Sequence, residues 1–248
     1  MKTVKILAIG NSFTQDPLRY LHDMAKQRGV NVKCVNLVIG GCSLERHYRN
    51  MLSEKPLYFL ELNGEGSGFQ VSLKDALVCD QFDIITLQQA SHFSHLPHTY
   101  HPYIEELAHY VRRYQPAAKL YIQQTWAYED ESQRLRAELG FTTHGEMMKQ
   151  VADSYAEAAQ LIGADGIIPS GFSMYRGVKA GLKMHRDTFH ASLGVGRYAL
   201  ALTWQQALLG LPAILDEFSC FDVPVTEEEC VSVRCAVDTA FSHPGVDD

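Results

Sequence analysis

Several features that would place a chain in a specialised class are missing from this sequence. No apolar run approaches the roughly 20 residues that cross a bilayer, and the opening MKTVKILAIG reaches Asn11 too early for the apolar core of a signal peptide. Pro- or Ser-rich linkers and internal repeats are also lacking. We therefore expect a cytoplasmic protein with no membrane partner, folded as one domain over residues 1–248.

Basic clusters and paired cysteines are absent as well. The 22 Lys and Arg residues are outnumbered by 29 Asp and Glu residues, giving a formal charge of -7, which argues against a nucleic-acid partner. No Cys-x-x-Cys pair occurs, and the cysteines are sparse for the length, so reduced thiols fit better than a disulfide framework or redox chemistry. The six cysteines are Cys34, Cys42, Cys79, Cys220, Cys230 and Cys235.

Short apolar runs rich in β-branched residues alternate with segments of helical periodicity. This composition is typical of parallel strands buried on both faces, and repeated β-α units build a parallel sheet covered by helices. We predict an α/β fold, a three-layer α/β/α sandwich. The predicted strands are residues 4–9, 32–38, 82–87, 120–125 and 166–169, and the predicted helices are residues 17–28, 103–114, 145–162 and 194–209.

Two further segments have recognisable local signals. Residues 57–73 contain two short alternating runs around the glycine-rich NGEGSG, which predicts a β-hairpin insertion folded over one edge of the sheet. Near the end, Thr226 is followed three residues later by Glu229. This capping-box pattern predicts a last amphipathic helix near residues 226–241.

Polar residues follow the ends of several predicted strands, which is where open α/β sheets bind ligands. The first strand leads into Asn11 and Ser12, the second into Gly40 and Gly41, and a later HRDTFHAS segment precedes a helix. A serine needs a base oriented by a carboxylate to become a nucleophile. HRDTFHAS supplies both groups, and glycines let backbone N–H groups approach a developing oxyanion.

These segments together resemble the conserved blocks of the SGNH (GDSL-like) hydrolases. Residues 10–13, Gly-Asn-Ser-Phe, resemble the first block, Gly41 the second-block glycine, and Asp187-x-x-His190 the last block. The matches follow the family's order and span nearly the whole chain. The resemblance implies a flavodoxin-like sheet of five parallel strands in the order 2-1-3-4-5. It also implies ester hydrolysis with Ser12 as nucleophile, His190 as base and Asp187 as its orienting carboxylate.

The third block departs from the family pattern. LQQAS stands after the third strand in place of Gly-x-Asn-Asp, and it is similar to the corresponding block of sialate and carbohydrate acetylesterases. The resemblance then implies an oxyanion hole formed by the N–H groups of Ser12 and Gly41 and the side-chain amide of Gln88, with Gln89 as the alternative to Gln88. Neither a metal nor an organic cofactor is implied.

Each site residue also has a structural interpretation. Ser12 can cap the first helix, Asp187 can cap a later one, His190 can be a partly buried histidine with its hydrogen bonds satisfied, and Gly40-Gly41 can be a tight turn. Trp126 and Tyr128 can stack on a sugar or fill the core.

Two other patterns invite functional interpretations that we disfavour. His92, His95, His98 and His101 recur every three residues, but Pro97 and Pro102 interrupt any helix there. A polar loop on the rim of the site is expected rather than a zinc site. GVGRYA at residues 194–199 fits a dinucleotide fingerprint, yet no apolar strand precedes it.

The functional expectation is a serine ester hydrolase that removes short acyl groups, above all acetyl, from a carbohydrate or similar polar alcohol. Its partner would be a small-molecule ester. The alternative is a non-catalytic carbohydrate-binding protein that retains the SGNH fold. A flavodoxin-like nucleotide binder is the third possibility, and it would not depend on Ser12.

Overall fold

The fold is built on a seven-stranded mixed sheet. The computed structural model describes residues 3–247. Five strands are parallel, and two form an antiparallel hairpin at one edge, giving the order β4-β3-β2-β1-β5-β6-β7. The strands are β1 Val4–Gly10, β2 Val32–Val38, β3 Tyr58–Leu62, β4 Glu65–Val71, β5 Ile84–Leu87, β6 Lys119–Gln123 and β7 Gly166–Ile168.

Helices cover both faces of this sheet. Ile6 and Ala8 of β1 pack with Leu18 and Trp204 on one face, whereas the alternate residue Leu7 belongs to the larger cluster on the other. The helices are α1 Ser12–Gln27, α2 Leu44–Ser53, α3 Leu73–Val78, α4 Tyr103–Tyr114, α5 Gln133–Ala137, α6 His144–Ile162, α7 Ser170–Lys179, α8 Val195–Leu209 and α9 Glu227–Ser242, with 3-10 turns at Pro97–Thr99 and Ala213–Leu215.

The prediction of an α/β fold with a helix-covered sheet is confirmed, but the prediction of five parallel strands was wrong. The hairpin does not fold over the sheet edge. It pairs with the free edge of β2, with Val35 opposite Leu62 and Val38 opposite Phe59. An edge strand presents unpaired N–H and C=O groups that another strand satisfies, so the sheet gains two antiparallel strands. The five parallel strands keep the order β2-β1-β5-β6-β7 among themselves.

Helix α1 begins earlier than its sequence pattern predicts. The sequence pattern predicts Pro17 as its first residue, but Pro17 lies inside a helix that starts at Ser12. Proline has no N–H to donate to the carbonyl four residues before it, here that of Phe13. The Gln123 side chain donates to the Phe13 carbonyl at 2.7 Å instead. A tertiary contact therefore replaces the missing bond and lets the helix extend back to Ser12.

The cysteines and the longest helices bear on the class of protein. All six cysteines are unpaired thiols, and burial raises the pKa of Cys34 to about 12. Among residues 3–247, no helix has both the length and the apolar character needed to span a membrane.

Gly10 at the end of β1 allows the following helix to sit close to the sheet. A Cβ atom on this residue would lie 2.4 Å from Thr14 Cγ2 and 2.8 Å from Gln88 Oε1. Both neighbours are buried, so neither can move away freely. The missing side chain thus determines how near α1 approaches the ends of β1 and β5.

We predict that Gly10→Ala destabilises the fold by about 1–3 kcal/mol, the typical cost of overpacking. Urea unfolding monitored by circular dichroism measures this. Gly66→Ala in the exposed strand β4 is the control, because its Cβ would meet nothing within 4 Å, and we expect its effect to stay within about 0.5 kcal/mol. Equal effects of the two substitutions would contradict the close-packing argument.

Candidate active site

Ser12 is the first residue of α1, but it is not the helix cap. Asn11 caps the helix, and its side-chain oxygen accepts from the Phe13 N–H at 3.0 Å. The hydroxyl of Ser12 is therefore left for another partner. The structural alternative in which Ser12 only caps the helix does not apply.

The partner of Ser12 lies 178 residues away in the chain. Ser12 Oγ is 2.9 Å from Nε2 of His190, and Nδ1 of the same imidazole is 2.7 Å from Asp187 Oδ2. The structure thus brings together the serine, histidine and aspartate singled out in the sequence. Hydroxyl, imidazole and carboxylate form one continuous chain of hydrogen bonds.

Asp187 is held in this chain by its second oxygen as well. Oδ1 accepts from the backbone N–H of His190 at 2.8 Å, so the aspartate binds both the ring and the backbone of that histidine. Partial burial alone would raise the pKa of Asp187, but the side-chain and backbone hydrogen bonds from His190 outweigh it and lower the pKa. The carboxylate form is favoured where it orients the imidazole.

The loop that carries Asp187 and His190 is fixed from the neighbouring β6–α6 connection. The Trp126 indole donates to the Phe189 carbonyl at 2.8 Å, and the Glu129 N–H donates to the Thr188 carbonyl at 2.8 Å. Thr188 also has a φ of 72°, a left-handed conformation unusual for a β-branched residue. These bonds hold the strained turn between aspartate and histidine. Trp126 is fully buried, which assigns it to the core rather than to a sugar platform.

A buried ion pair joins this loop to α1. Asp16 has no exposed surface, and it accepts from Arg186 Nη1 at 3.0 and 3.2 Å and from Arg197 Nε at 2.9 Å. Arg197 also donates to Asp222, which receives three bonds from the Arg19 guanidinium at 2.7, 2.9 and 3.1 Å. The network therefore links α1, the histidine loop, α8 and the segment before α9.

Gly40 and Gly41 form a tight turn beside Ser12. The Cys42 N–H donates to the Ile39 carbonyl at 3.1 Å, and Gly41 has a φ of 60°, which glycine adopts without strain. Asn11 Nδ2 donates to the Cys42 carbonyl at 3.1 Å and ties the turn to α1.

Two backbone donors remain available at this point. Within residues 3–247, the N–H groups of Ser12 and Gly41 have no hydrogen-bond acceptor, and both residues line the same cavity. Donors of this kind next to a serine hydroxyl can stabilise a developing oxyanion. The turn at Gly41 and the start of α1 therefore each supply one backbone N–H group that can bind an oxyanion.

Gln88 and Gln89 are placed differently from the sequence prediction. Both are buried, and Gln88 Nε2 donates to Asn11 Oδ1 at 2.9 Å and to the Gln89 carbonyl at 3.3 Å. Gln89 Nε2 donates to Thr99. These bonds engage both amide groups, and neither glutamine lines the cavity. The geometry makes Gln88 a support for Asn11 and leaves no free amide for the predicted oxyanion role.

A cavity of about 430 Å³ opens over the serine. This size suits a small ligand. Sequence reasoning singled out most of the lining residues, including His92 and Tyr128, but it missed Arg134, which belongs to no motif that carries chemistry. Besides Ser12, Gly41 and His190, the cavity is lined by Asn11, Phe13, Gly40, Ser91, His92, Tyr128, Arg134 and Phe189.

The four regularly spaced histidines do not converge on one point. His92 lines the cavity above Ser12, His98 and His101 line a neighbouring groove, and His95 is buried against Phe141. Among the described residues, no group of three or more His, Cys, Asp or Glu side chains is arranged to hold a metal ion.

The arrangement can perform nucleophilic catalysis. A serine bonded to an imidazole that is oriented by a carboxylate can transfer its proton as it attacks a carbonyl carbon. Two backbone N–H groups beside it can bind the resulting oxyanion. The described residues thus contain the groups needed for acyl transfer.

We predict that Asp16→Asn lowers the free energy of unfolding by about 1–3 kcal/mol, because charge-assisted bonds to two arginines are weakened. The cost stays below that of breaking a fully buried pair, since both guanidinium groups retain contact with water. Chemical unfolding measures the difference. Asp23→Asn, an exposed site on the same helix, is the control, and a similar loss there would contradict a special role of Asp16.

Solved structures with this fold include SGNH and GDSL-like hydrolases. A candidate SGNH hydrolase from Slackia heliotrinireducens is 23% identical, with a TM-score of 0.60 and coverage of 83% of this chain and 98% of that one. An acetyl xylan esterase from Geobacillus stearothermophilus is 13% identical, with a TM-score of 0.54 and coverage of 82% and 93%. At these identities the likeness shows the fold alone.

A closer likeness is found in a family without an assigned activity. A DUF4886 family protein from Bacteroides uniformis is 32% identical, with a TM-score of 0.91 and coverage of 98% of this chain and 96% of that one. No curated protein matches the chain. The family model described as a domain of unknown function, DUF4886, matches residues 5–240. The chain therefore belongs to the DUF4886 family.

Proposed function

We propose that this protein is a serine ester hydrolase that removes short acyl groups, above all acetyl, from a carbohydrate or similarly polar alcohol. The observation that carries the proposal is the continuous chain of bonds from Ser12 Oγ through His190 to Asp187, at 2.9 and 2.7 Å. Its serine end opens into a cavity of about 430 Å³. A purely structural role would not require the hydroxyl to face that cavity.

In the first step, Ser12 Oγ attacks the ester carbonyl carbon. His190 Nε2 accepts the hydroxyl proton as the new C–O bond forms, and Asp187 stabilises the resulting imidazolium through Nδ1–H. The carbonyl π electrons move to oxygen. The tetrahedral oxyanion accepts hydrogen bonds from the N–H groups of Ser12 and Gly41.

In this scheme Gln88 is a positioning residue. It donates to Asn11 Oδ1, while Asn11 Nδ2 donates to the Cys42 carbonyl. This relay holds the Gly41 turn against the start of α1. It keeps the two backbone donors on the same side of the serine.

The oxyanion then collapses and the alcohol leaves. The bond to the alcohol oxygen breaks, and His190 Nε2 returns its proton to that oxygen, which leaves an acyl group on Ser12. Water deprotonated by His190 attacks this acyl carbon in the second half of the reaction. Ser12 recovers a proton and the carboxylic acid is released.

The cavity favours a small, polar ester. Aromatic rings of Phe13, Tyr128 and Phe189 form part of the wall, and Ser91 and His92 contribute polar groups. A volume of about 430 Å³ accommodates a short acyl group with part of a sugar-sized alcohol. The acetyl xylan esterase that shares this fold makes acetylated sugars the natural compounds to test first.

We predict that Ser12→Ala and His190→Ala each reduce kcat/KM for 4-nitrophenyl acetate by about a thousandfold or more, because either change removes the nucleophile or its base. Spectrophotometric assays with acetate, butyrate and octanoate esters measure the rates and the acyl preference. Ser53→Ala, an exposed serine on α2, should retain wild-type activity. Unchanged hydrolysis by Ser12→Ala would refute the mechanism.

Labelling separates the enzyme from a carbohydrate-binding protein of the same fold. An organophosphonate reacts only with an activated serine, so we expect mass spectrometry to find the adduct on Ser12 in the wild type. The Ser12→Ala variant should carry none. Absence of both labelling and ester turnover would favour the binding protein.

We predict a pH-dependent stability contribution from Asp187. Its folded pKa is lowered, whereas the unfolded value is about 4, so its ionised form stabilises the fold above about pH 4 and this contribution disappears as pH falls through the folded pKa. Urea unfolding of wild type and Asp187→Asn at pH 7 and pH 3 measures it. The wild-type advantage should shrink at pH 3, and a constant difference would contradict the assignment.

A further inference from the structure

A positively charged side chain lines the cavity over Ser12, although the chain as a whole is negatively charged. The protein has a formal charge of -7, yet none of the residues found to line this cavity is acidic. Arg134 contributes the only permanent charge among them. A neutral ester does not require a guanidinium group in such a position.

Packing on aromatic rings holds Arg134 at the cavity wall. Its guanidinium carbon lies 4.9 Å from the centre of the Phe189 ring and 5.5 Å from the centre of the Tyr128 ring, distances typical of cation–π contacts. Both rings line the cavity. Phe189 lies between Asp187 and His190 in the chain, so Arg134 packs directly on the loop that carries them.

Most of the hydrogen-bonding capacity of Arg134 is unused. Nε donates to Glu138 Oε2 at 3.0 Å, and within residues 3–247 neither Nη atom has an acceptor. A guanidinium presents paired N–H groups that match the two oxygens of a carboxylate. The side chain is about one-third exposed, so a ligand can reach it.

The charge of Arg134 affects the pKa of the neighbouring side chain of His92. Burial first, and then the positive charge of Arg134, lower the pKa of His92. Both effects disfavour the charged form of His92, and Arg134 is the permanently charged side chain among those that line the cavity. One positive charge matches one negative charge, whereas a phosphate dianion would leave a charge uncompensated.

We propose that the ester substrate carries a carboxylate group, which Arg134 binds while the ester lies over Ser12. This inference rests on the proposed esterase function and narrows its substrate to acidic alcohols, such as an acylated sugar acid, or to acyl groups with a free carboxylate. Arg134 is then a specificity-determining residue. Glu138 competes with the substrate for the guanidinium and weakens the selectivity.

The test compares esters of matched size and different charge, and the Arg134 variants separate the effect of that charge from intrinsic reactivity. 4-Acetoxybenzoate and 4-acetoxybenzamide place the carboxylate or its neutral amide on the alcohol part. The 4-nitrophenyl monoester of glutaric acid and the matching glutaramate place it on the acyl part. We expect the wild type to prefer the anionic member of at least one pair by about 10- to 100-fold in kcat/KM, the range of a charge-assisted bond.

Four variants test whether Arg134 causes the preference. Arg134→Gln should abolish it, and Arg134→Lys should keep part of it, since lysine retains the charge without the paired N–H groups. Glu138→Gln should increase the preference because it removes the competing carboxylate. Arg136→Gln removes an exposed arginine from the same helix, outside the cavity, and should leave the preference unchanged.

A binding measurement separates this inference from the esterase proposal. Calorimetry on Ser12→Ala should show tighter binding of 4-acetoxybenzoate than of its amide, and Arg134→Gln in that background should remove the difference. The inference is overturned if the wild type has equal kcat/KM for both members of each pair, or if the preference persists in Arg134→Gln. Either result would leave the esterase proposal intact. If Ser12 is not labelled but the charge-selective binding persists, only the esterase proposal is overturned.

Discussion

The geometry of the site depends on one buried ion pair between distant parts of the chain. Asp16 lies one helical turn after Ser12, and Arg186 directly precedes Asp187. A carboxylate with no exposed surface requires strong partners, and Asp16 finds them in Arg186 and Arg197. Satisfying this one buried charge therefore brings the start of α1 and the histidine loop into a fixed relation. The 2.9 Å contact between Ser12 and His190 follows from it.

A second set of constraints acts on the backbone around the serine. Gly10 allows α1 to approach the sheet, the buried amide of Gln88 binds Asn11, and Asn11 in turn holds the turn at Gly41. Gly10 and Gln88 act only through their neighbours, because neither of them lines the cavity. Substitutions at these positions would displace the N–H groups of Ser12 and Gly41 without removing either group.

Local patterns predicted the parallel core and brought Ser12, Asp187 and His190 to attention, because strand ends of a parallel sheet meet at one edge and short motifs mark them. Local patterns did not predict features that depend on contacts between segments distant in the chain. The hairpin joined the free edge of β2 instead of folding over it. Gln88 turned inward to Asn11, because a buried amide bonds with whatever polar group is nearest. Arg134 lies on the short helix α5, whose sequence matches no motif.

The sequence by itself determined the alternation of strands and helices, since periodicity is a local property, and its resemblance to the SGNH hydrolase blocks pointed to the three residues now linked by hydrogen bonds. Only the tertiary structure decided which backbone N–H groups stay free beside Ser12 and which glutamine amides are hydrogen-bonded to neighbouring residues. It also decided that Arg134 lines the same cavity as Ser12. These outcomes depend on contacts between segments far apart in the chain. Burial favours pairing of polar groups, and the identity of each partner is set by packing rather than by neighbours in sequence.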